Sequence, residues 1–454
     1  MLRRYILLIA ITLTGCTKFV EVAEPIDQIP SDVVFDDDTK AASALRGLYS
    51  VMIAALYSPF GGSLSVCPGL AADELITTST LVDFTDFQNN VISTSNGKNN
   101  SGLWGNLYTT IYQANAVLKG IENSPNVTPA AKLWIGGEAR FCRALYYFYL
   151  VNMYGPVPMP LTTDYTTNTY LHRTSIDSVY NLIIADLQNA QANLGDNYTA
   201  TGNRLRPNKW AATALLARVY LYRQQWQAAI EQSTAVINSG FYALEPLNNV
   251  FLNAGRENIL QLASAGTNLY TWDAYVFVSL KAHLASSSLL NSFEAGDNRK
   301  TSWLTKVTIS NTTYYAPYKY KVSTGTGTSR TENTTLLRLG EQYLIRAEAY
   351  ANAGNISSAR SDLDSIRKRA GLPLMTEDIT QQALLDTILH ERRIELFSEL
   401  GHRWFDVKRS GKADAIFGAV KTGCLVVSQH GLQLPLQVVA DVLPDPVVER
   451  PPRV

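Results

Sequence analysis

Two helix pairs of one design, set 130 residues apart as measured from Ala217 to Ala347, constrain this chain more than anything else in it. Residues 208–222 place Trp210, Ala214, Ala217, Val219, Tyr220 and Leu221 at helical spacing, and residues 226–237 follow with Ala228, Ala229, Ile230, Ala235 and Val236. Only Arg223-Gln224-Gln225 separates the two runs. The second pair covers residues 336–353 and 356–369, joined through Gly354-Asn355. When the pairs are superposed, Ala217 falls on Ala347, Tyr220 on Tyr350, Trp226 on Ile356 and Ala229 on Ala359. Small residues let two helices cross closely, and a large one seals the turn. That is the pattern of tetratricopeptide repeats, whose pairs stack because no single pair can bury its own apolar stripe. A large side chain at Ala217 or Ala347 must therefore overpack.

Residues 104–121, 130–153 and 176–194 read as further, more degenerate helices. The second ends at Tyr154-Gly155-Pro156-Val157-Pro158, where glycine and two prolines forbid continuation. Asp36-Asp37-Asp38 precede another helical run and read as helix-start acids, because the ligands of a calcium loop do not follow them. Residues 58–101, rich in Ser, Thr, Gly and Asn, read as a long irregular surface segment. Between Gly240 and Arg330, short aromatic and β-branched stretches such as 259–262 and 314–320 alternate with Gly, Asn, Ser and Thr. Ninety residues are too many for one loop, so loops, short strands and a small helix near 282–293 are expected there. The fold class is mostly α: a scaffold of tetratricopeptide-like helical pairs carrying an irregular loop and short-strand insertion. The expected divisions are a helical part over 36–239, the insertion over 240–335 and a second helical part over 336–422.

The first residues fix the compartment. Arg3 and Arg4, an apolar run from Tyr5 to Leu13, and Leu13-Thr14-Gly15-Cys16 have the layout of a cleavable leader over 1–15. The run is too short to cross a membrane. Cysteine directly after the small residues resembles a bacterial lipobox, which makes Cys16 the lipidated N-terminus and residues 16–35 a tether. Thr17 stands where an acidic residue would favour inner-membrane retention, so the outer membrane is expected. Cys67, Cys142 and Cys424 then remain, an odd set that argues against a disulfide framework.

Lysine plus arginine and aspartate plus glutamate each total 39, which removes any electrostatic case for nucleic acid. The five histidines are scattered at 172, 283, 390, 402 and 430, and His390-Glu391 lacks the second histidine of a zinc-protease helix, so no metal is expected. No phosphate loop and no Gly-x-Ser-x-Gly elbow occurs, so neither a cofactor nor catalysis is expected. Glu391, Arg392, Arg393 and Glu395 crowd one helix, with Arg403, Asp406, Lys408 and Arg409 just after. Acids that arrive with matching cations read as an interhelical ion network rather than a catalytic carboxylate pair.

Several stretches in order resemble the RagB/SusD family of outer-membrane nutrient-binding lipoproteins. They are Trp104-Gly105-Asn106-Leu107-Tyr108 with Asn115, Glu138-Ala139-Arg140-Phe141-Cys142-Arg143-Ala144-Leu145, Tyr154-Gly155-Pro156-Val157-Pro158, and Arg206-Pro207-Asn208-Lys209-Trp210. Gly296-Asp297-Asn298-Arg299, Arg338-Leu339-Gly340-Glu341-Gln342-Tyr343 and Glu391-Arg392-Arg393-Ile394-Glu395-Leu396-Phe397 follow, running to Gly401-His402-Arg403-Trp404-Phe405-Asp406. The resemblance implies a non-catalytic surface protein packed against a TonB-dependent transporter of the SusC type, to which it delivers a glycan or peptide. It breaks over 423–454, where the family's usual apolar ending is missing. A reading-frame slip near Lys421-Thr422-Gly423 would produce such a tail.

Glycan binding needs exposed aromatic faces with polar groups to read hydroxyls, held on loops of a rigid scaffold. The 24 tyrosines and 7 tryptophans supply candidates in quantity. Those on expected loops are Phe84 and Phe87, Tyr270 and Trp272, Trp303, and Tyr314 and Tyr315, with Asp73, Asp83, Asp273 and Arg299 as polar options. The set chosen for the site is Asp73, Phe84, Tyr270, Trp272, Arg299, Trp303 and Tyr315. Trp104, Trp210 and Trp404 lie in helical motifs and are assigned to the core. Removing Tyr270 or Trp272 is expected to weaken binding and leave stability nearly unchanged. The expected function is a lipid-anchored glycan-binding protein serving a TonB-dependent transporter. The alternative is a lipid-anchored tetratricopeptide adaptor that holds a protein partner and no nutrient, and which has little use for the aromatic insertion.

Overall fold

The computed structural model describes residues 31–198, 203–264 and 266–417. The expected leader, Cys16 and the tail over 423–454 lie outside the described residues.

Helices dominate, and several of the long ones start where a side chain caps them. Helix α1 (Asp38–Met52) is capped by Asp37, whose carboxylate accepts from the Lys40 amide at 2.8 Å. Asp38 accepts from the amide and hydroxyl of Thr128, each at 2.7 Å, so the acid run knits two helix starts together. Helices α2 (Leu64–Ala71) and α3 (Val82–Asn89) come next, then α4 (Asn106–Asn123) and α5 (Pro129–Tyr154), the latter capped by Thr128. Helix α5 stops at Gly155, whose φ of +71° suits glycine. Helix α6 (Ile176–Asn193) packs on α5, and α7 (Lys209–Tyr222) pairs with α8 (Trp226–Ile237). Helices α9 (Leu339–Asn352), α10 (Ile356–Ala370), α11 (Gln381–Leu396) and α12 (His402–Arg409) complete the scaffold.

The two anticipated pairs stand side by side, since α8 packs against α9. Ala217, Ala229, Ala347 and Ala359 are fully buried, as close crossings require. Cys67 and Cys142 are buried free thiols.

Two boundaries differ from the sequence reading. Helix α9 begins at Leu339 rather than 336, because strand β8 (Thr334–Arg338) pairs antiparallel with β4 (Asn258–Leu262). More substantially, the first part of 58–101 is not an irregular surface. Every residue from Ser58 to Ala72 is buried, and α2 runs through the core with neighbours on all sides. Its Gly, Ser, Cys and Ala residues make that passage possible: a Cβ on Gly69 would lie 2.9 Å from Leu75 Cδ1. The small polar composition reports close packing, not exposure.

Four two-stranded sheets occur among the described residues. Strand β1 (Leu75–Thr77) pairs with β5 (His283–Ala285), tying the N-terminal part to the insertion. Strands β2 (Val157–Pro158) and β3 (Arg173–Thr174) form a second pair. Strands β6 (Leu304–Ile309) and β7 (Thr312–Pro317) form a hairpin turning at Ser310-Asn311. Both turn residues have positive φ, 46° and 63°, which matches the strand twist of a type I′ turn.

Candidate functional site

Three aromatic side chains converge at one corner of the insertion. Thr271 caps a short helical turn, Trp272–Ala274, its hydroxyl accepting from the Ala274 amide at 3.2 Å. One turn of helix brings Trp272 and Tyr275, three residues apart, to the same side, while Asp273 and Ala274 point inward and are buried. Tyr270 stacks on Tyr275 at 5.0 Å and 21°, and meets Trp272 edge-on at 5.8 Å. Trp272 and Tyr275 are 6.0 Å apart and also edge-on. All three are half-buried, with ring area left to solvent. Each such pair adds about 0.5–1.5 kcal/mol beyond area burial, so the trio is self-supporting.

The scaffold holds the trio from behind. Trp272 Nε1 donates to the carbonyl of Ile53 at 3.1 Å, and Ser264 Oγ donates to that of Tyr270 at 2.6 Å. Tyr57 lies on the Ile53–Ser63 stretch that receives Trp272, and holds φ at +64°, costly for a bulky residue. Its hydroxyl is 3.2 Å from His283 Nε2, and Lys98 Nζ sits 4.4 Å from its ring centre. Burial, with a smaller effect from Lys98, pushes His283 down to about 3, so the ring that meets the Tyr57 hydroxyl is neutral.

Of the seven residues chosen from sequence, Tyr270 and Trp272 are the two that meet with ring area left to solvent. Phe84 is a correction: it is 1% exposed, on α3, with its ring 4.6 Å from His283. The polar residues around it frame a helix rather than a loop. Trp303 is a second correction, being fully buried with Nε1 donating to the Leu247 carbonyl at 2.9 Å. Arg299 is a third, 1% exposed inside an ion network. Asp73 stands half-buried between α2 and β1, its carbonyl accepting from Ser286 Oγ at 2.6 Å. Tyr315 is half-buried on β7 against the cluster that contains Trp303. Tyr275 was missed, although its spacing of three from Trp272 carried the signal. Trp404 is core as expected, and Trp104 and Trp210 pack partly buried against it.

Behind the site, the anticipated ion network locks the insertion onto α11. Arg299 Nη1 lies 2.5 Å from Glu391 and 3.1 Å from Glu395, and its Nη2 lies 2.8 Å from Asp297. Arg338 reaches Glu395 at 2.6 Å, Glu399 at 2.8 Å and Glu257 at 3.0 Å. Burial pushes the Glu395 carboxyl up, but Arg369, Arg338 and Arg299 together hold it well below the usual carboxylate range. Each of these acids is matched by cations, the arrangement of a clamp.

Comparison with known proteins fits this architecture. Residues 18–221 match a family model described as starch-binding associating with outer membrane, and residues 254–430 match that of the SusD family. The chain belongs to the RagB/SusD family. SusD-like protein P2 of Formosa agariphila is 27% identical over 91% of each chain. The match to P25 of the same organism, 28% identical, spans 51% of this chain and only 44% of that one. A solved laminarin-binding SusD-like protein has a TM-score of 0.69, with 24% identity over 86% of this chain and 95% of its own. The mostly α, tetratricopeptide-like fold read from the helix pairs is thus the observed one, and the family is the one that the ordered motifs resemble. No helix among the described residues is long and apolar enough to cross a membrane.

Proposed function

We propose that this chain is a non-catalytic cell-surface lipoprotein that captures an oligo- or polysaccharide. It is held in the outer membrane through Cys16 and passes its ligand to a SusC-like TonB-dependent transporter. The observation that carries the reading is the half-exposed trio Tyr270, Trp272 and Tyr275, anchored from behind by Ile53 and Ser264. Sugar rings present C–H faces that stack on such surfaces, and a prepositioned platform spends little entropy on binding. A protein of the same fold binds laminarin, which supports a glycan ligand here. The carboxylates of the network, Glu257, Glu391, Glu395 and Glu399, are committed to arginines, which supports binding without chemistry. A pure adaptor has no use for the trio.

Calorimetric titration of the full chain with laminarin and starch oligosaccharides, repeated on Tyr270→Ala, tests the binding step. Binding lost in the variant is expected; glycan binding indifferent to the trio refutes the assignment. Gentle detergent extraction and pull-down of the native protein should recover a β-barrel transporter. Recovery of the protein alone refutes the delivery step.

A further inference from the structure

A second concave surface lies on the other side of the segment that carries the trio. It is a groove of about 480 Å³, within the range of sites for small ligands. Strand β4 supplies Gln261 and the chain just before β8 supplies Asn333, with Arg204 on one flank and Arg330 on the other. Arg330 also secures the intervening segment: its Nε donates to the Asn268 carbonyl at 2.6 Å and its Nη2 to that of Gly266.

The charge balance here differs from the rest of the molecule. Where the core arginines meet carboxylates, these two meet only neutral oxygens. Arg204 donates to the carbonyls of Gly255 at 2.9 Å, Phe241 at 3.3 Å and Asn258, and lies over the rings of Tyr198 and Tyr242. Among the described residues Arg330 Nη1 forms no hydrogen bond, and no Asp or Glu lines the groove. The neighbouring Glu332 is turned away, its carboxylate taken by the amides of Lys321 at 2.8 Å and Val322 at 2.9 Å. Asn333 adds an independent sign. It lines the groove, and its side-chain amide makes no hydrogen bond among the described residues. Its polar atoms face the water of the groove, where a ligand's hydroxyls can take that water's place.

Two uncompensated guanidiniums and an open amide, in a concavity without carboxylates, match an anion that also carries hydroxyls. We propose that this groove is a subsite for an acidic saccharide, in which a carboxylate or sulfate faces Arg330 and Arg204 while ring hydroxyls meet Asn333 and Gln261. The inference rests on the glycan-binding reading and adds the charge class of the ligand. Guanidinium forks suit both carboxylate and sulfate, so the two sources share one chemistry.

Calorimetry with the full chain and three size-matched probes tests it: a neutral laminari-oligosaccharide, an oligogalacturonate and a sulfated carrageenan oligosaccharide. At least one acidic probe should bind, more weakly as sodium chloride is raised. Thr328→Glu puts a carboxylate at an exposed position of the groove, where folding is not at risk. It should lower acidic-probe affinity at least about tenfold, a repulsion of the size expected for charges at close range, and leave neutral-probe affinity unchanged. Arg330→Gln should act in the same direction. Whether the galacturonate or the carrageenan responds separates carboxylate from sulfate. The inference is overturned if the chain takes only the neutral probe, or if Thr328→Glu leaves acidic binding untouched. In both cases the glycan-binding reading survives provided Tyr270→Ala weakens binding of the remaining probe. Failure of all three probes to bind overturns both.

Discussion

The indole nitrogen of Trp272 donates to the carbonyl oxygen of Ile53 at 3.1 Å, across 219 residues of sequence. Ile53 is the residue that ends α1, so the aromatic corner of the insertion is fastened directly to the helical scaffold. A platform fastened this way binds as a preformed surface, but its central residue then serves stability as well as recognition. The expectation that either aromatic can be removed without affecting stability is therefore kept for Tyr270 only.

Tyr270→Ala should lose glycan affinity and keep its melting temperature within a few degrees, because the side chain packs chiefly against Tyr275 and Trp272. Trp272→Ala should lose affinity and also about 2 kcal/mol of stability, roughly half the cost of deleting a fully buried tryptophan. Thermal melts beside titrations separate the two. Equal stability losses in both variants contradict this division of roles.

Gly61 explains why the corner is so tightly specified. A Cβ there would lie 2.2 Å from the Ala55 carbonyl oxygen, 2.4 Å from Ser58 Oγ and 3.1 Å from Trp272 Cδ1. The first of these is backbone and cannot swing aside. Gly61→Ala should cost roughly 1–3 kcal/mol, as overpacking does elsewhere, and should change the fluorescence of Trp272. A variant as stable as the parent, with unchanged emission, shows the loop to be looser than described.

The helix pairs were legible because alanine at a crossing leaves a local, periodic mark: Ala217, Ala229, Ala347 and Ala359 are all fully buried. The helix-start acids were readable for the same reason, since the amide that Asp37 caps lies three residues on. What stayed hidden depends on partners distant in sequence. Arg299 looks like a loop arginine until Glu391 and Glu395, from a helix ninety positions on, are folded against it. Trp303 is indistinguishable locally from Trp272; only the Leu247 carbonyl deep in the second core cluster tells them apart. Residues 58–72 were misjudged because small residues are common to turns and to tightly packed core, and composition does not separate the two.

Asp273, on the inner side of the trio's turn, gives the corner a pH signature. Burial pushes its carboxyl from 3.8 up to about 6, against a hydrogen bond with Ser65 that pulls it down. Between those values the unfolded chain has released the proton while the folded one still holds it, so stability falls as pH rises through that window. Above it both states are ionised and the penalty is complete, up to about 3 kcal/mol at about 1.36 kcal/mol per pKa unit. Asp273→Asn keeps the shape and removes the charge. Denaturant unfolding should find the variant more stable than its parent at pH 7 and little different at pH 4. A gap of the same size at both pH values rules this out.

Ala217→Leu and Ala347→Leu should each cost about 1–3 kcal/mol, because both alanines are fully buried where helices of a pair cross. The losses should add when combined, since the two sites lie in separate core clusters. Chemical denaturation of the singles and the double reads both points. A silent Ala347→Leu would require the register of the repeat to be redrawn.

The two repeat pairs are joined by one ion pair whose removal can be made diagnostic. Arg218 on α7 meets Glu341 in the first turn of α9 through two bonds of 2.6 Å, with 1% and 2% of the side chains exposed. Burial opposes the charge on Arg218, yet Glu341 and Tyr149 raise its pKa above the usual value, so the guanidinium stays charged. Losing one partner strands the other charge in the interior, which typically costs about 3–5 kcal/mol, whereas replacing both by apolar groups is often neutral. The singles should not be equal. Glu341 sits at a helix N-terminus, where free amides compensate an anion, so Arg218→Met should hurt less than Glu341→Leu. The double variant should recover most of the stability lost in either single. A double-mutant cycle by guanidinium unfolding measures this directly, and simple additivity of the two losses would show that the pair contributes no specific coupling between the repeats.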